Sequence, residues 1–283
     1  MKLTSTNLTS TNLNRQYSMK NITQLLLTLC LLVAANTNSF ASDVSFDFIS
    51  SSPVGSWQLR EQIDTDHKGR QTAMLMRTSM IAKENRNGKP HYWIEVGMDS
   101  FKISKKGKRK ANGKRVVMKS LVPESTLIGD PANVLTNLRT FSVETIMQNG
   151  DSKPMRMTNV GGFMDGAMKM MNTEIKYDFQ SQGNESINVK AGQIDTHKIR
   201  GTGSVDIKVL FKKLHIDSDT TIWISDEVPF GTVKMQGTAV TNGKSSEQLG
   251  ELLEYGSSGA VSEITQAPED MPAMPNLGEL FSG

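Results

Sequence analysis

Apolar and polar positions alternate with period two along most of the chain beyond residue 56, the spacing of half-buried β-strands. Trp57, Leu59 and Ile63 face one way against Gln58, Arg60 and Gln62, and Asp66-His67-Lys68-Gly69 then turns the chain. Thr72, Met74, Met76, Thr78, Met80 and Ala82 share one face of a long second strand, which ends at the turn Asn85-Arg86-Asn87-Gly88. Tyr92, Ile94, Val96 and Met98 alternate with Trp93 and Glu95, and residues 116–122 make a further strand. Period two resumes at Phe141, Val143 and Met147 and again over residues 155–160. It is cleanest later, where Ile175, Tyr177 and Phe179 oppose Glu174, Lys176 and Asp178, and Val205, Ile207, Val209 and Phe211 oppose Asp206 and Lys208. Residues 219–236 read as strand, tight turn, strand: Thr221 to Ile224 are β-branched or aromatic, Pro229 fixes its own φ, and Gly231 permits a positive one.

Three segments break the alternation and predict short helices. Asp130 caps and Pro131 starts the first, with Val134, Leu135 and Leu138 on one side. Gly161-Gly162 opens the second, residues 163–171. Ser245 and Gln248 form a capping box for the third, Leu249, Leu252 and Leu253 its apolar stripe, and Gly256 its end. The chain thus reads as mainly β (α+β), with about ten strands and three helices. Residues 42–256 form a single domain, and residues 257–283, broken by Pro268, Pro272 and Pro275, form a disordered acidic tail.

The segment before this domain changes the picture of where the protein goes. Lys20, the apolar run from Leu25 through Ala35, and Ser39-Phe40-Ala41 ahead of Ser42 have the layout of a cleavable secretory signal within residues 1–41, with Met19 as an alternative start. The run is too short for a membrane anchor once Asn36, Asn38 and Ser39 interrupt it. Export to the periplasm is expected. The only cysteine, Cys30, lies inside the signal, so the mature chain is expected to carry no disulfide and no thiolate site. Of the 32 basic residues, Lys2, Arg15 and Lys20 precede the cleavage point, so the remainder match the 29 acidic ones. A neutral mature chain argues against nucleic-acid binding.

Charge is nonetheless segregated. Residues 102–119 carry nine Lys and Arg and no acid, and Ala111-Asn112-Gly113-Lys114 places a hairpin turn at their tip. This patch, with Lys105, Lys106, Lys108, Arg109 and Lys110, is either a solvated loop or a contact for an envelope protein or an anionic membrane surface.

Candidate chemistry is sparse. His67, His91, His197 and His215 show no metal-ligand spacing, and there is no phosphate loop or nucleophile elbow, so no enzyme activity and no cofactor are expected. Methionine is unusually frequent: Met155, Met157, Met164, Met168, Met170 and Met171 cluster, with Met164, Met168 and Met171 on one face of the second helix. Core filling, a pliable apolar ligand surface and cuprous-ion binding are the three readings.

Residues 187–199 with their Val-x-Ala-Gly turn, and Trp223-x-Ser225-x-x-Val228-Pro229-x-Gly231, resemble exported β-rich bacterial proteins related to the periplasmic lipoprotein-localisation carriers. That resemblance covers mainly the C-terminal half. It implies a strongly curved antiparallel sheet or incomplete β-barrel around an apolar concavity, with the helices as plug or lid. The expectation is therefore a non-enzymatic periplasmic protein that binds or carries a lipid or other apolar ligand, lined by Trp93, Met98, Met164, Met168, Met171 and Trp223. An interaction scaffold using the basic hairpin and acidic tail is the alternative.

Overall fold

The computed structural model of the protein describes residues 46–47, 51–129, 142–158, 174–209 and 212–271. The strands among them are β1 (Phe46–Asp47), β2 (Trp57–Thr65), β3 (Gln71–Arg86), β4 (Lys89–Ile103), β5 (Arg109–Ala111), β6 (Val116–Pro123), β7 (Ile128–Gly129) and β8 (Glu144–Asn149). They continue as β9 (Met155–Thr158), β10 (Glu174–Val189), β11 (Gly192–Val209), β12 (Lys212–Ile224), β13 (Thr232–Thr241), β14 (Lys244–Gly256) and β15 (Glu269–Asp270). β1 pairs with β7; the other strands form one open 13-stranded sheet in the order β10-β11-β12-β13-β14-β2-β3-β4-β6-β8-β9-β15, with β5 alongside β4. β10 to β14 form one antiparallel meander, and β2, β3, β4, β6, β8 and β9 a second, to whose edge β15 adds in the parallel sense. What joins them is the antiparallel pairing of the last long strand, β14, with the first, β2, for instance Glu251 with Glu61.

This corrects the expected helices-and-sheet architecture. Among the described residues the only helical piece is the 3-10 turn Glu124–Thr126. The third predicted helix is the strand β14: Asn242 (φ 49°) and Gly243 (φ 76°) both take the positive φ of a type I′ turn, which returns the chain directly onto β13. With its backbone donors committed to β13 and β2, residues 244–256 have none left for a helix. The first two predicted helices, residues 130–138 and 163–171, lie outside the described residues.

Three further readings change. A β-bulge between Met80 and Ala82 adds one residue to β3, so Met80 pairs with Ile94 but Ala82 pairs with Trp93 and falls on the opposite face from the methionines. The basic segment does reverse, but at Lys105-Lys106-Gly107, where the Ser104 N–H donates to Lys108 O and the Gly107 N–H to Ser104 O, not at Asn112-Gly113. Finally, residues 257–271 are not loose. They run across one face of the sheet as a strap: the Ala260 N–H donates to Gly55 O (2.7 Å), and the Ser262 hydroxyl (2.6 Å) and Glu263 N–H (2.7 Å) both donate to the buried Glu95 carboxylate. Arg115 clamps Glu263, Ile264 joins Val117, Ile146 and Trp93 in an apolar cluster, and β15 closes beside β9 in the parallel sense.

A second cluster lies under the 225–231 loop, where Phe230 packs with Met80, Tyr92, Val122 and Leu127. Phe230 itself holds φ 62°, a strained setting for a bulky residue. Burial of its ring and a hydrogen bond from its N–H to Ser52 Oγ (2.7 Å) keep it there. A third cluster joins Ile194, Val228, Val233 and Leu252 at the β10–β11 hairpin end, whose Ala191 N–H reaches Leu252 O.

Candidate functional site

Residues that pair across neighbouring strands project from the same face, so the pairing follows one face across the middle of the sheet. On β2 that face carries Gln58, Arg60, Gln62 and Asp64. Toward β3 and β4, Arg60 stands opposite Met76 and then Met98, and Gln62 opposite Met74. On the other side Arg60 stands opposite Leu252, Gln62 opposite Gly250, and Gly250 leads on to Met235, Ile222 and Ile199. Arg60 and Gln62 are therefore flanked by thioethers, a leucine and a glycine, whereas Gln58 stands between Thr78 and Tyr255 and Asp64 between Thr72 and Gln248. The strap lies on the reverse face, where Glu95 and Trp93 project.

Alternation makes Gln58, Arg60 and Gln62 the solvent side of β2, yet they are only 3%, 8% and 3% exposed. Both glutamines are satisfied. The Gln58 amide, oriented to satisfy its network, donates to Pro229 O (3.2 Å) and Thr232 O (3.3 Å), and Gln62 Nε2 donates to Asp64 Oδ1 (3.0 Å). Arg60 is not. Among the described residues no carboxylate pairs with it, and its Nε is buried without a hydrogen-bond partner. Desolvation lowers its guanidinium from the ordinary arginine value to about 10. Asp64, further along the same face, makes no ion pair with Arg60 and accepts a hydrogen bond from Gln62 instead. Burial pushes the Asp64 carboxyl up, against hydrogen bonds from Gln62 and Gln248 that favour its charged form.

The position of the guanidinium is set by a missing side chain. A Cβ added to Gly250 would stand 3.2 Å from Arg60 Nη2 and 3.5 Å from the Met235 Cβ, so the glycine makes the bed on which the guanidinium lies. Glu61, next in sequence but on the reverse face, takes both Arg109 and Lys190 and is unavailable to Arg60.

Of the residues expected to line a site, Met98 lies on the Arg60 face. Trp93 does not: its indole N–H donates to Glu84 (2.8 Å), and it belongs to the Ile264 cluster beneath the strap. Trp223 is adjacent to Ile222 and so points to the reverse face, where Lys198 and Lys234 flank the ring and Glu185 accepts its indole N–H. Met164, Met168 and Met171 lie outside the described residues. Arg60, the residue that the structure singles out, had no local signal, since alternation tells which side chains share a face and not which face is covered.

Other polar groups are less distinctive. His215 sits between Asp206 (2.8 Å) and Asp217 (3.1 Å), which raise its pKa, but it is exposed, and no group of three His, Cys, Asp or Glu side chains placed to hold a metal ion occurs among the described residues. The basic finger keeps Lys105, Lys106, Lys108 and Lys110 exposed, while Arg109 turns back to Glu61.

No family model and no curated protein matches the chain. Among solved structures it is similar to a candidate lipoprotein from Parabacteroides distasonis, at 14% identity and TM-score 0.34 over 76% of this chain and 100% of that one. It is also similar to a candidate exported protein with a YmcC-like fold from Bacteroides fragilis, at 12% identity and TM-score 0.33 over 75% of this chain and 100% of the other.

Proposed function

We propose that the protein is a non-enzymatic exported protein of the cell envelope that binds or carries a lipid or other apolar ligand against the methionine-bearing face of its sheet. The observation that carries this reading is that Met74, Met76 and Met98 on one side of the β2 row, and Met235, Ile222 and Ile199 on the other, share one face of the seven neighbouring strands from β11 to β4. Unbranched thioethers adapt to acyl chains of varied shape, which is the property a carrier needs. The signal-like leader and the resemblance of the C-terminal half to lipoprotein-localisation carriers support the same reading. Native mass spectrometry of protein purified from its own host, followed by lipid extraction, should show a bound mass that matches an extracted lipid. Empty protein that also takes up no fluorescent fatty-acid probe would overturn it.

The exposed lysines of the basic finger favour one second reading, contact with an anionic membrane surface or an acidic envelope partner. Sedimentation with phosphatidylglycerol vesicles should weaken steeply with salt and be lost when Lys105, Lys106, Lys108 and Lys110 are changed to Ser. A tail truncation meant to separate scaffold from carrier must start at residue 272, because residues 257–271 are part of the fold.

A further inference from the structure

We infer that Arg60 is the head-group site of the proposed ligand, and that the ligand is an acidic amphiphile whose carboxylate or phosphate pairs with the guanidinium while its chain lies on the methionines; the inference deepens the carrier reading and rests on it. A charged side chain removed from water has three ordinary ways out: to reach solvent, to pair with a carboxylate, or to give up its charge. Arg60 is 8% exposed and its Nε is buried without a hydrogen-bond partner, so solvent reaches no more than the tip of the guanidinium. The acids nearest in sequence are out of reach or taken: Glu61 projects from the reverse face and holds Arg109 and Lys190, and Asp64 accepts from Gln62. Loss of the charge is the least accessible route for a guanidinium at neutral pH. What remains is an anion from outside the described protein.

The geometry around the group suits one. Met76 and Leu252 flank it, Met98 and Met235 lie one strand further on each side, and the bare Gly250 leaves the guanidinium plane unobstructed by a Cβ. A guanidinium fork presents parallel N–H donors that match the two oxygens of a carboxylate or phosphate. In an apolar setting such a charge-assisted pair is strong, and it relieves the desolvated cation at the same time. The neighbouring glutamines make their own bonds and so hold the strand without competing for the anion.

The test is binding of oleate, dioleoylphosphatidylglycerol and the neutral methyl oleate to delipidated full-length protein, read by native mass spectrometry and probe displacement. Wild type should bind at least one of the two anions about tenfold or more tighter than methyl oleate, the worth of one charge-assisted pair. The anion preferred then identifies a fatty acid or a phospholipid as the natural class. Arg60→Met should bind that anion no tighter than it binds methyl oleate itself, abolishing the preference, and Arg60→Lys should keep part of it. Gly250→Ala, which crowds Nη2 and keeps the charge, should weaken the anion severalfold, a readout that holds even if Arg60→Met fails to fold. Equal binding of methyl oleate and both anions by wild type would overturn the head-group assignment alone, as would an Arg60→Met variant that binds the anion within twofold of wild type. Binding of none of the three by wild type would overturn the carrier reading together with it.

Discussion

Ile264→Ala asks whether the strap is part of the fold or an ornament on it. Ile264 is 8% exposed and packs on Val117 and Ile146 beside Trp93. The change removes three carbons, about 2.4 kcal/mol of transfer free energy at ~0.8 kcal/mol per methylene. The hole left behind adds to this, although a thin surface strap settles into it better than a deep core does, so we expect a loss of about 3 kcal/mol. Urea unfolding followed by tryptophan fluorescence is the assay, because Trp93 lies in the same cluster. With a slope of roughly 2 kcal/mol/M the midpoint should fall by about 1.5 M. Val261→Ala is the control: Val261 is 79% exposed three residues earlier in the same strap and should shift stability by less than about 0.5 kcal/mol. If the two variants unfold at the same midpoint and resist protease equally, the strap contributes nothing and the reasoning fails.

Three other outcomes follow from the same physical terms. Glu95→Ala should cost about 2 to 3 kcal/mol and speed proteolysis within residues 257–271, since Ser262 Oγ and the Glu263 N–H lose their shared acceptor; limited proteolysis with mass mapping checks it. Arg60→Met should raise the stability of ligand-free protein at pH 7 by a few kcal/mol, roughly the 1–4 kcal/mol typical when apolar side chains replace buried charge, because it removes a desolvated guanidinium with no ion-pair partner among the described residues. A melting temperature that falls would mean that Arg60 has a stabilising partner. Asp64, whose folded pKa is raised above the unfolded 3.8, destabilises the fold while ionised and ceases to do so as pH drops through the folded value. Asp64→Asn should therefore be more stable than wild type at pH 7, with the advantage vanishing near pH 4, and urea midpoints across that range that keep a constant gap would refute the assignment.

Much of the strand inventory is written locally. Alternation in residues 57–65, 71–80 and 89–98 identifies β2, β3 and β4, and Asn87-Gly88 marks their turn by the positive φ that both residues adopt. The same signal stands at Asn242-Gly243 and announces β14, but Ser245, Gln248 and the leucines after them also satisfy a helix pattern, and only pairing with both β13 and β2 decides between the two. The bulge at Ile81, which turns Ala82 away from the methionines, depends on where β4 pairs rather than on anything in β3 alone. The strap shows the same dependence: its composition is that of a disordered tail, yet Glu95 and the Val117–Ile146 surface, more than a hundred residues earlier, give Ser262, Glu263 and Ile264 something to hold. Period two establishes that Arg60 and Gln62 share a side. Whether that side meets water is set by β14 and β3 closing on β2 from distant parts of the chain, and burial is a property of that assembled surface, so the unpaired guanidinium exists only in the folded protein.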